Sequence, residues 1–452
     1  MYCVGIDIGT SSICGVAYHL STEHCITIVK DNNTSIISDN QWEKTQDADA
    51  IFHLVEEILS EFRQKCTDIK GIGFSGQMHG MLYVDKCGEA VSPLYTWQDG
   101  RGNLIYKEEQ SYASFLTQET GYPMATGYGL VTHFYNKQNN QVPSSVNKLC
   151  TIMDYVVMKL CRRNEPLIDY SNAAGLGLFD KRRLLFDVSA CDAIHLDRIL
   201  LPEVIPSGSL VGYCEEIPVY VAIGDNQAAF LGSVKDIEHS IHITVGTSSQ
   251  ISVYTDRYVE VEGLDIRPLP GGGYILVGAP LCGGASFAML KDFFADTVKH
   301  FTGIEKSDHE WYERMISIPY QTDTDDSIEV ETLFSGTRLE PDKRGKIDHI
   351  SLSNFTPENL IRGFVKGISQ NLYDYFRLIP DSVRQNKTNL VGSGNGIKKN
   401  PLMRQALEER FGYSLHLSNV QEEAAFGACV CNMAGEKNER VFSTKELNDE
   451  NL

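Results

Sequence analysis

The chain has 452 residues, of which 42% are hydrophobic and 22% charged, and its formal net charge is −20 at pH 7. This length predicts two or three domains, and the acidic balance argues against a nucleic-acid-binding protein, which would carry a basic stripe. The 12 cysteines form no CxxC pair and no zinc-type grouping with histidine, which is typical of buried thiols in a reducing compartment.

The predicted elements alternate between strands and helices along the chain. Apolar residues at helical spacing predict a helix over 50–65, and the next strand is expected at Ile69–Phe74. The later elements that we predict are strands at 274–279 and 388–392 and helices at 285–302, 357–379 and 401–411. Asn400 and Pro401 mark the start of the last of these helices, and Gly412 marks its end.

Two distant segments share one phrase. The sequence at 6–18 is IDIGTSSICGVAY, and the sequence at 242–254 is HITVGTSSQISVY. Each is an apolar run, Gly-Thr-Ser-Ser and a second apolar run, which is typical of a β-hairpin. Coincidence is an alternative, because Gly, Thr and Ser all favour turns. The matching apolar flanks favour two domains of like topology, over 1–231 and 232–435, followed by a polar tail over 436–452.

The two Gly-Thr-Ser-Ser turns are candidates for phosphate binding. A tight turn points successive backbone N–H groups outward, and glycine permits the close approach of a ligand. Two such turns would bind a polyphosphate from both sides. The residues concerned are Gly9, Thr10, Ser11 and Ser12 in the first turn and Gly246, Thr247 and Ser248 in the second.

Two carboxylates are candidate site residues because of their positions in the predicted strands. Asp7 lies in an apolar strand, where its charge needs a partner; Mg²⁺ on the phosphates is one candidate, and backbone N–H groups are the alternative. Asp225 ends an apolar strand near the middle of the chain. It is a candidate general base that takes a proton from a hydroxyl group, and the alternative is an N-cap of the following helix.

Two glycine-rich or small-residue segments lie near the end of the sequence. Gly392, Gly394 and Asn395 could border a slot for a flat base, although a plain strand-to-helix turn explains the same residues. Small side chains in EEAAFGAC, at 422–429, predict a helix that packs closely against its neighbours.

Polar groups that suit a polyhydroxylated substrate follow two apolar runs. FSGQMHGML supplies Gln77 and His79, and TWQDGRGN supplies Trp97, Asp99 and Arg101. An indole ring offers a flat apolar face to the C–H side of a sugar. The alternatives are a structural histidine at 79 and a salt bridge between Asp99 and Arg101 that shapes the loop.

Six motifs in one order resemble the FGGY family of carbohydrate kinases over roughly residues 2 to 435. These motifs are IDIGTSS, SGQMHG, WQDGR, GDNQA, TVGTSS and GSGNGIKKNPLMRQ. The resemblance implies an α/β fold with two actin-like (ribonuclease-H-like) domains and an interdomain catalytic cleft. It implies an N-terminal sugar-binding domain, a C-terminal ATP-binding domain, and transfer of the γ-phosphoryl group of ATP to a sugar hydroxyl with Mg²⁺.

The resemblance also implies roles for individual residues. Asp225 is expected to be the catalytic base, and Asp7 and Asp225 are expected to lie at the metal ion. The two Gly-Thr-Ser turns and the glycine loop at 392–395 are expected to bind ATP. The residues expected at the substrate are Gln77, Met78, His79, Trp97, Asp99, Arg101, Asn226 and Gln227.

Within the family, TWQDGR, ATGYG and SNAAG look most like the sedoheptulokinases, which phosphorylate a ketose at its terminal hydroxyl. Gln98 and Asn172 depart from the xylulokinases, which usually have Asn and Asp at these positions. D-xylulose is therefore the less favoured, alternative substrate. An alternative of another class is a non-catalytic sugar sensor with the same fold. Release of ADP that depends strictly on added ketose would exclude that sensor.

The sequence predicts a cytoplasmic enzyme whose partner is a small-molecule ketose. No run of about 18 apolar residues is present, and the first apolar run, Val4 to Ile8, is too short for a signal peptide. We therefore expect neither a membrane nor a nucleic acid as a partner. A monomer and a homodimer are equally compatible with the sequence.

Overall fold

The computed structural model describes residues 1–322, 326–337, 340, 342–418 and 420–437. The chain forms two units. Unit 1 contains Met1–Lys235, Arg267–Gly273 and the described residues from Val420 onward, and unit 2 contains 236–266 and the described residues of 274–419. Of the predicted polar tail, residues 438–452 lie outside the described part.

The first 235 residues supply most of unit 1. In chain order its strands and helices are β1 (Tyr2–Ile8), β2 (Ser12–His19), β3 (Cys25–Asp31), β4 (Ser35–Ile36), β5 (Thr45–Gln46), α1 (Ala48–Lys65), β6 (Ile69–Gly76), β7 (Leu82–Val84), β8 (Leu94–Tyr95), β9 (Ile105–Lys107), β10 (Gln110–Ser111), α2 (Tyr112–Thr120), α3 (Gly129–Gln138), β11 (Lys148–Cys150), α4 (Ile152–Leu160), β12 (Leu167–Asp169), α5 (Tyr170–Leu176), β13 (Phe179–Asp180), β14 (Leu185–Phe186), α6 (Val188–Ala193), β15 (Glu203–Ile205), β16 (Leu210–Cys214), β17 (Ile217–Tyr220), β18 (Ile223–Gly224) and α7 (Asp225–Ser233). Short 3₁₀ helices lie at Gly100–Asn103 and Arg198–Leu200.

The following elements build unit 2, and one last helix follows it in the chain. They are β19 (Ser240–Val245), β20 (Ser249–Thr255), β21 (Asp265–Pro268), β22 (Tyr274–Gly278), α8 (Gly284–Thr302), α9 (Asp308–Ile316), β23 (Glu329–Glu331), β24 (Lys346–Asp348), α10 (Pro357–Leu378), α11 (Asp381–Arg384), β25 (Asn389–Ser393), α12 (Asn395–Lys398), α13 (Pro401–Phe411), β26 (Leu415–Leu417) and the last helix α14 (Glu423–Lys437). The helices and strands predicted after residue 274 are therefore confirmed to within a residue or two.

The central sheets of the two units share one arrangement. In unit 1 the order is β16-β17-β6-β1-β2-β3, with β18 also paired to β6, and in unit 2 it is β21-β22-β20-β19-β25-β26. β1 is antiparallel to β2 and parallel to β6, and β19 is antiparallel to β20 and parallel to β25. The prediction of two domains of like topology, each opening with a hairpin, is confirmed.

The two hairpins differ by one residue in register. Ile8 pairs with Ile13 in the first hairpin, whereas Val245 pairs with Ser249 in the second. The residues between the last paired positions of each hairpin are therefore 9–12 in unit 1 and 246–248 in unit 2. The same four letters thus form a wider turn in unit 1.

Helix α1 shows why the apolar pattern folds as it does. The side chain of Asp47 accepts a hydrogen bond from the N–H of Ala50 and caps the helix, and one face is buried against the sheet. A Cβ atom at Gly15 of β2 would lie 2.6 Å from the ring of Phe62, so glycine permits this close packing. The prediction of a helix over 50–65 is confirmed.

The last helix, α14, belongs to unit 1 and not to the unit that precedes it in the chain. Its backbone packs so closely that a Cβ at Gly5 or Gly73 would overlap the carbonyl oxygen of Ala425 or Ala428, respectively. The close packing predicted for 422–429 is confirmed. The predicted second domain over 232–435 therefore differs from unit 2 in this helix, because the contacts that hold it are formed with β1, β6 and α7.

Unit 2 has a separate apolar core, built around α10 and α13. Asn400 accepts a hydrogen bond of 3.2 Å from the N–H of Met403 at the start of α13, and Gly412 ends the helix with a φ of 73°. Within the described ranges, each helix of the chain is too short or too polar to cross a bilayer.

Candidate active site

The carboxyl ends of three parallel strands of unit 1 are level with one another. Ile8 of β1 pairs with Gly76 of β6, and Gly76 pairs with Gly224 of β18. The next residues in each segment, Gly9, Gln77 and Asp225, therefore leave the same edge of the sheet. This register brings the first Gly-Thr-Ser turn, the QMHG segment and the mid-chain carboxylate together.

Asp7 lies half-buried in β1, one residue before this edge. Ser75 Oγ donates a hydrogen bond of 2.8 Å to Asp7 Oδ1. The pKa of Asp7 is raised to about 6, mainly by burial and also by the negative charge of Glu422, while the bond from Ser75 opposes the rise. The carboxylate is therefore less stable here than in water, and a cation beside it would relieve this cost.

Asp225 is the first residue of α7, and Gly224 occupies the N-cap position. The N-cap alternative for Asp225 is therefore wrong. Burial and the charge of Asp7 raise the pKa of Asp225 to about 7, while Arg267 and the N–H of Asn226 favour its ionised form. A carboxylate with a pKa near neutrality is well matched to general-base work.

The pair of Asp7 and Asp225 fits a magnesium ion that also binds substrate oxygens. Each carboxyl has a raised pKa, and the charge of Asp7 contributes to the rise at Asp225. Among the residues described, no group of three or more His, Cys, Asp or Glu side chains could hold a metal alone. Mg²⁺ prefers one or two carboxylates completed by phosphate oxygens and water, which matches this donor set.

The first turn is held by a closed ring of hydrogen bonds. Thr10 Oγ1 donates to Gln77 Oε1 at 3.1 Å, Gln77 Nε2 donates to Gln46 Oε1 at 2.9 Å, and Gln46 Nε2 donates to Thr10 O at 2.9 Å. Trp97 Nε1 donates to Thr10 Oγ1 at 3.0 Å. Asn32 Nδ2 also donates to Gly9 O at 2.8 Å. The hydroxyl of Thr10 is engaged, so a phosphate would meet the backbone N–H groups of the turn.

Met78 and His79 lie beside the strand that delivers Asp225. A Cβ at Gly224 would lie 2.5 Å from the sulfur of Met78, so the absence of a side chain at Gly224 leaves room for Met78. His79 has a φ of 76°, which is strained for a residue with a side chain. Its ring stacks on Tyr128 with centroids 4.7 Å apart, and its Nδ1 lies 2.8 Å from the carbonyl oxygen of Gly175.

Asp99 and Arg101 form an ion pair with each other inside unit 1. Their exposed fractions are 0% and 1%, and Arg101 Nε lies 2.6 Å from Asp99 Oδ1. Asp99 also accepts a hydrogen bond of 3.0 Å from the N–H of Lys44, and the guanidinium lies 4.2 Å from the ring centre of Tyr95. These contacts correspond to the salt-bridge alternative. We therefore interpret the pair as shaping the loop that carries Trp97.

Helix α5 holds the strand before Asp225 from behind. Ser171 Oγ donates to both oxygens of Asp169 at 2.8 Å and accepts a 2.8 Å bond from the N–H of Gly224. Asn172 Nδ2 donates to the carbonyl oxygen of Ala222 at 3.1 Å. In the sequence, Asn172 is notable only as a departure from the xylulokinases. No local pattern indicates that Ser171 and Asp169 support the strand before Asp225.

The loop Arg267–Gly273 contributes to unit 1 from a distant part of the sequence. Gln227 Nε2 donates to Pro268 O at 3.2 Å, so the first turn of α7 anchors the loop that carries Arg267. The Gln227 side chain is buried, and its Oε1 finds no hydrogen-bond partner among the residues that the structure describes. Arg267 and Gln46 were not predicted, because no local motif marks either residue.

In unit 2 the second Gly-Thr-Ser turn and the glycine loop lie side by side. Gly394 has a φ of 80°, and a Cβ there would lie 2.6 Å from the carbonyl oxygen of Val245, the residue before the turn. The N–H of Gly284 donates to Gly246 O at 2.8 Å, and that of Ala285 donates to Thr247 O at 3.0 Å. The start of α8 therefore fixes the turn, while Asn395 begins the short helix α12 after the glycine loop.

A model of the FGGY family of carbohydrate kinases, N-terminal domain, matches residues 2–232. A sedoheptulokinase from Mus musculus is 28% identical over 476 aligned residues, covering 94% of this chain and 96% of the relative.

The fold is similar to solved kinase structures. The ligand-bound xylulose kinase from Lactobacillus acidophilus has a TM-score of 0.80 at 19% identity, covering 97% of this chain and 90% of that one. The Plasmodium falciparum glycerol kinase with ADP has a TM-score of 0.78 at 18% identity, covering 99% of this chain and 92% of that one. The predicted fold of two actin-like α/β domains is confirmed.

Proposed function

The chain belongs to the FGGY family of carbohydrate kinases, and we propose that it transfers the γ-phosphoryl group of ATP to the terminal hydroxyl of a ketose, with sedoheptulose as the preferred substrate. The observation that carries this proposal is the strand register at the edge of unit 1. Ile8, Gly76 and Gly224 are level there, so Asp225 emerges beside the first Gly-Thr-Ser turn.

Asp225 takes the proton of the attacking hydroxyl. Its pKa, raised to about 7, leaves a useful fraction ionised at neutral pH and makes the carboxylate a better proton acceptor than an ordinary aspartate. The 2.8 Å bond between the N–H of Gly224 and Ser171 Oγ supports the strand immediately before it. A base held in this way contributes roughly 10²–10⁴-fold to the rate.

The turns and the glycine loop bind the nucleotide. In unit 2, Thr247 and Ser248 offer backbone N–H and hydroxyl groups to phosphates, and Gly246 closes the turn by donating its N–H to Ser248 O. The base is bordered by Gly392, Gly394 and Asn395. In unit 1, the N–H groups of the turn at 9–12 donate hydrogen bonds to the phosphoryl group while it is transferred to the sugar. Asp7 and Asp225 would hold Mg²⁺, which supplies positive charge to the phosphates when bound.

The ketose binds to the polar groups around Met78 and His79. The groups that contact it are the His79–Tyr128 stack, the exposed indole of Trp97, and Asn226 and the Oε1 of Gln227, which directly follow Asp225 in α7. Gln77, Asp99 and Arg101 act through their neighbours, because their own polar groups are already bonded within the protein. This division separates residues that touch the sugar from residues that hold the site in shape.

Sedoheptulose is preferred over xylulose on the basis of overall similarity. The mouse sedoheptulokinase aligns with nearly the whole chain at 28% identity. Xylulose is the second candidate, since the SGQMHG segment is shared with xylulokinases and a contact that senses only one extra carbon unit of the substrate changes selectivity by about 1–3 kcal/mol.

The test is a panel of ketoses at equal concentration with an ADP-release assay, ranked by kcat/KM. We expect ADP release only with a ketose, and the highest kcat/KM with sedoheptulose. Asp225→Asn should lower kcat by at least about 100-fold, while Asp256→Asn, which removes an exposed carboxylate, should leave it unchanged. Equal activity of both variants would exclude Asp225 as the base, and ADP release at the same rate with and without a ketose would exclude a ketose as the substrate.

A further inference from the structure

Trp97 is the most exposed member of a hydrogen-bond network whose two glutamines are buried. Its side chain is 47% exposed, whereas Gln46 and Gln77 are 1% and 4% exposed. Its Nε1–H donates to Thr10 Oγ1 at 3.0 Å, and Thr10 closes the ring with the two glutamines. A ligand that covers the indole would therefore touch a group bonded directly to the first phosphate turn.

The backbone around Trp97 is fixed. Thr96 bonds to Lys44 O through its N–H at 3.0 Å and through its hydroxyl at 2.9 Å. On the other side, Asp99 is locked by Arg101. A Cβ at Gly127 would overlap the carbonyl oxygen of Trp97, so another segment presses on the loop. A change at the indole is therefore passed to Thr10 and is not absorbed by movement of the loop.

The bond between Trp97 and Thr10 is open to competition from water. Water weakens an exposed N–H···O bond, and covering such a bond with a ligand strengthens it because the local dielectric constant falls. A sugar stacked on the indole would thus hold the hydroxyl of Thr10, and with it the backbone N–H groups of the turn at 9–12, in the arrangement that binds phosphate.

We propose that Trp97 is a positioning residue that couples ketose binding to nucleotide binding through its hydrogen bond to Thr10. This inference rests on the proposed function. It means that the sugar tightens the binding of the nucleotide, and that the nucleotide tightens the binding of the sugar by the same factor. It also means that ATP hydrolysis without sugar is slow, since the bond from Trp97 to Thr10 is exposed to water until a ketose covers the indole.

Trp97→Phe tests the coupling with a minimal change. Phenylalanine keeps a flat apolar face for the sugar but removes the N–H donor. We measure the Kd of ADP with Mg²⁺ by calorimetry, with and without saturating sedoheptulose, and take the ratio. Loss of one hydrogen bond predicts that the ratio in Trp97→Phe falls about 5-fold below that of the wild type. ADP affinity without sugar should change little.

Variants of Thr10 separate this bond from a general effect of the mutation. Thr10→Ser keeps the hydroxyl and should retain the wild-type ratio. Thr10→Val removes both the bond from Trp97 and the bond to Gln77, so its ratio should fall at least as far as that of Trp97→Phe. The double variant should fall no further than Thr10→Val alone, because the bond from Trp97 is already lost in that variant. In addition, sedoheptulose should protect the wild-type protein from acrylamide quenching more than it protects Trp97→Phe.

The outcomes distinguish the inference from the proposed function. A wild-type ratio that persists in Trp97→Phe, or a wild-type ratio of one, overturns the coupling even if turnover is normal. Additive losses in the double variant also overturn it. Absence of ketose-dependent turnover in the wild type overturns the proposed function, and the inference with it.

Discussion

The backbone N–H of Gly224 donates a 2.8 Å hydrogen bond to Ser171 Oγ, immediately before the carboxylate of Asp225. Ser171 is oriented in turn by Asp169, which is buried and accepts the serine hydroxyl at 2.8 Å. The start of α5 thus holds the strand end that presents Asp225. This relationship gives the first of five predictions.

Ser171→Ala should lower kcat about tenfold with little change in KM. The substitution leaves the N–H of Gly224 buried without an acceptor, which costs about 1–3 kcal/mol and loosens the strand before the base. Steady-state kinetics with sedoheptulose measures the effect.

Ser207→Ala is the matched control for Ser171→Ala. Ser207 also donates to Asp169, at 2.7 Å, but its hydroxyl has no bond to the strand of Gly224. Its kcat should stay near that of the wild type, and Ser171→Thr should restore much of the loss. Equal falls in kcat for both alanine variants would show that Asp169, and not the bond to Gly224, controls the rate.

The second prediction concerns the pH dependence of catalysis. Asp225 must be ionised to accept a proton, and its pKa in the free enzyme is raised to about 7. The value of kcat/KM should therefore rise as the pH increases through about 7 and then level off. Arg267→Gln should move this midpoint upward, because Arg267 favours the ionised form. A flat profile from pH 5 to 8, measured as initial rates, would contradict the assignment.

The third prediction concerns loss of stability in acid. Burial lowers the pKa of His133 in unit 1 and of His242 in unit 2, each to about 4. Both histidines resist protonation when folded but accept a proton near pH 6.5 when unfolded. The free energy of unfolding should therefore fall as the pH drops from about 6.5 to about 4. Urea titrations across this range should show a shallower fall in His133→Gln; an unchanged slope would exclude His133 as a source.

The fourth prediction concerns Asp7, whose ionisation makes the fold less stable as the pH rises. Its folded pKa is raised to about 6, so the carboxylate destabilises the fold increasingly as the pH rises from about 4 to 6. Asp7→Asn should be more stable than the wild type at pH 8. The same variant should gain less stability from ATP with Mg²⁺, because it lacks the charge that would face the ion. Thermal melts with and without Mg²⁺ test both effects, and a less stable variant at pH 8 would contradict the argument.

The fifth prediction tests the packing of α14 on α7. A Cβ at Gly427 would overlap the carbonyl oxygen of Ala228, and neither backbone can move without disturbing the sheet. Gly427→Ala should lower the stability of unit 1 by about 3 kcal/mol or more. Gly303→Ala, at a position with a φ of 71° where an added Cβ would meet no described atom within 4 Å, should cost only about 1 kcal/mol. Similar losses in the two variants would contradict the close approach.

The elements that could be predicted from the sequence are those with local signals. The paired hairpins follow from apolar runs around a glycine turn, and α13 follows from Asn400, Pro401 and Gly412, whose capping contacts are all within the helix. The placement of Asp225 at a strand end follows from the same kind of local pattern.

The remainder depends on contacts between distant residues. Small residues indicated that α14 packs closely, but its partner strand begins more than 400 residues earlier, and no local pattern names that partner. Arg267 acts on Asp225 through the fold of a loop, and Gln46 reaches Thr10 only after β5 forms. Asp99 and Arg101 have the polarity of binding residues, and only burial distinguishes them from such residues.

The position of α14 has a consequence for how the protein is made. Most of unit 1 leaves the ribosome before unit 2, yet α14, which covers Gly5 and Gly73, is made only after unit 2. The face of the unit 1 sheet that α14 covers stays exposed while all of unit 2 is synthesised. Unit 2 can therefore finish folding before unit 1. A fragment that stops at residue 235 would keep that face of the sheet exposed. This face is therefore the part of unit 1 that remains accessible longest to chaperones that bind nascent chains.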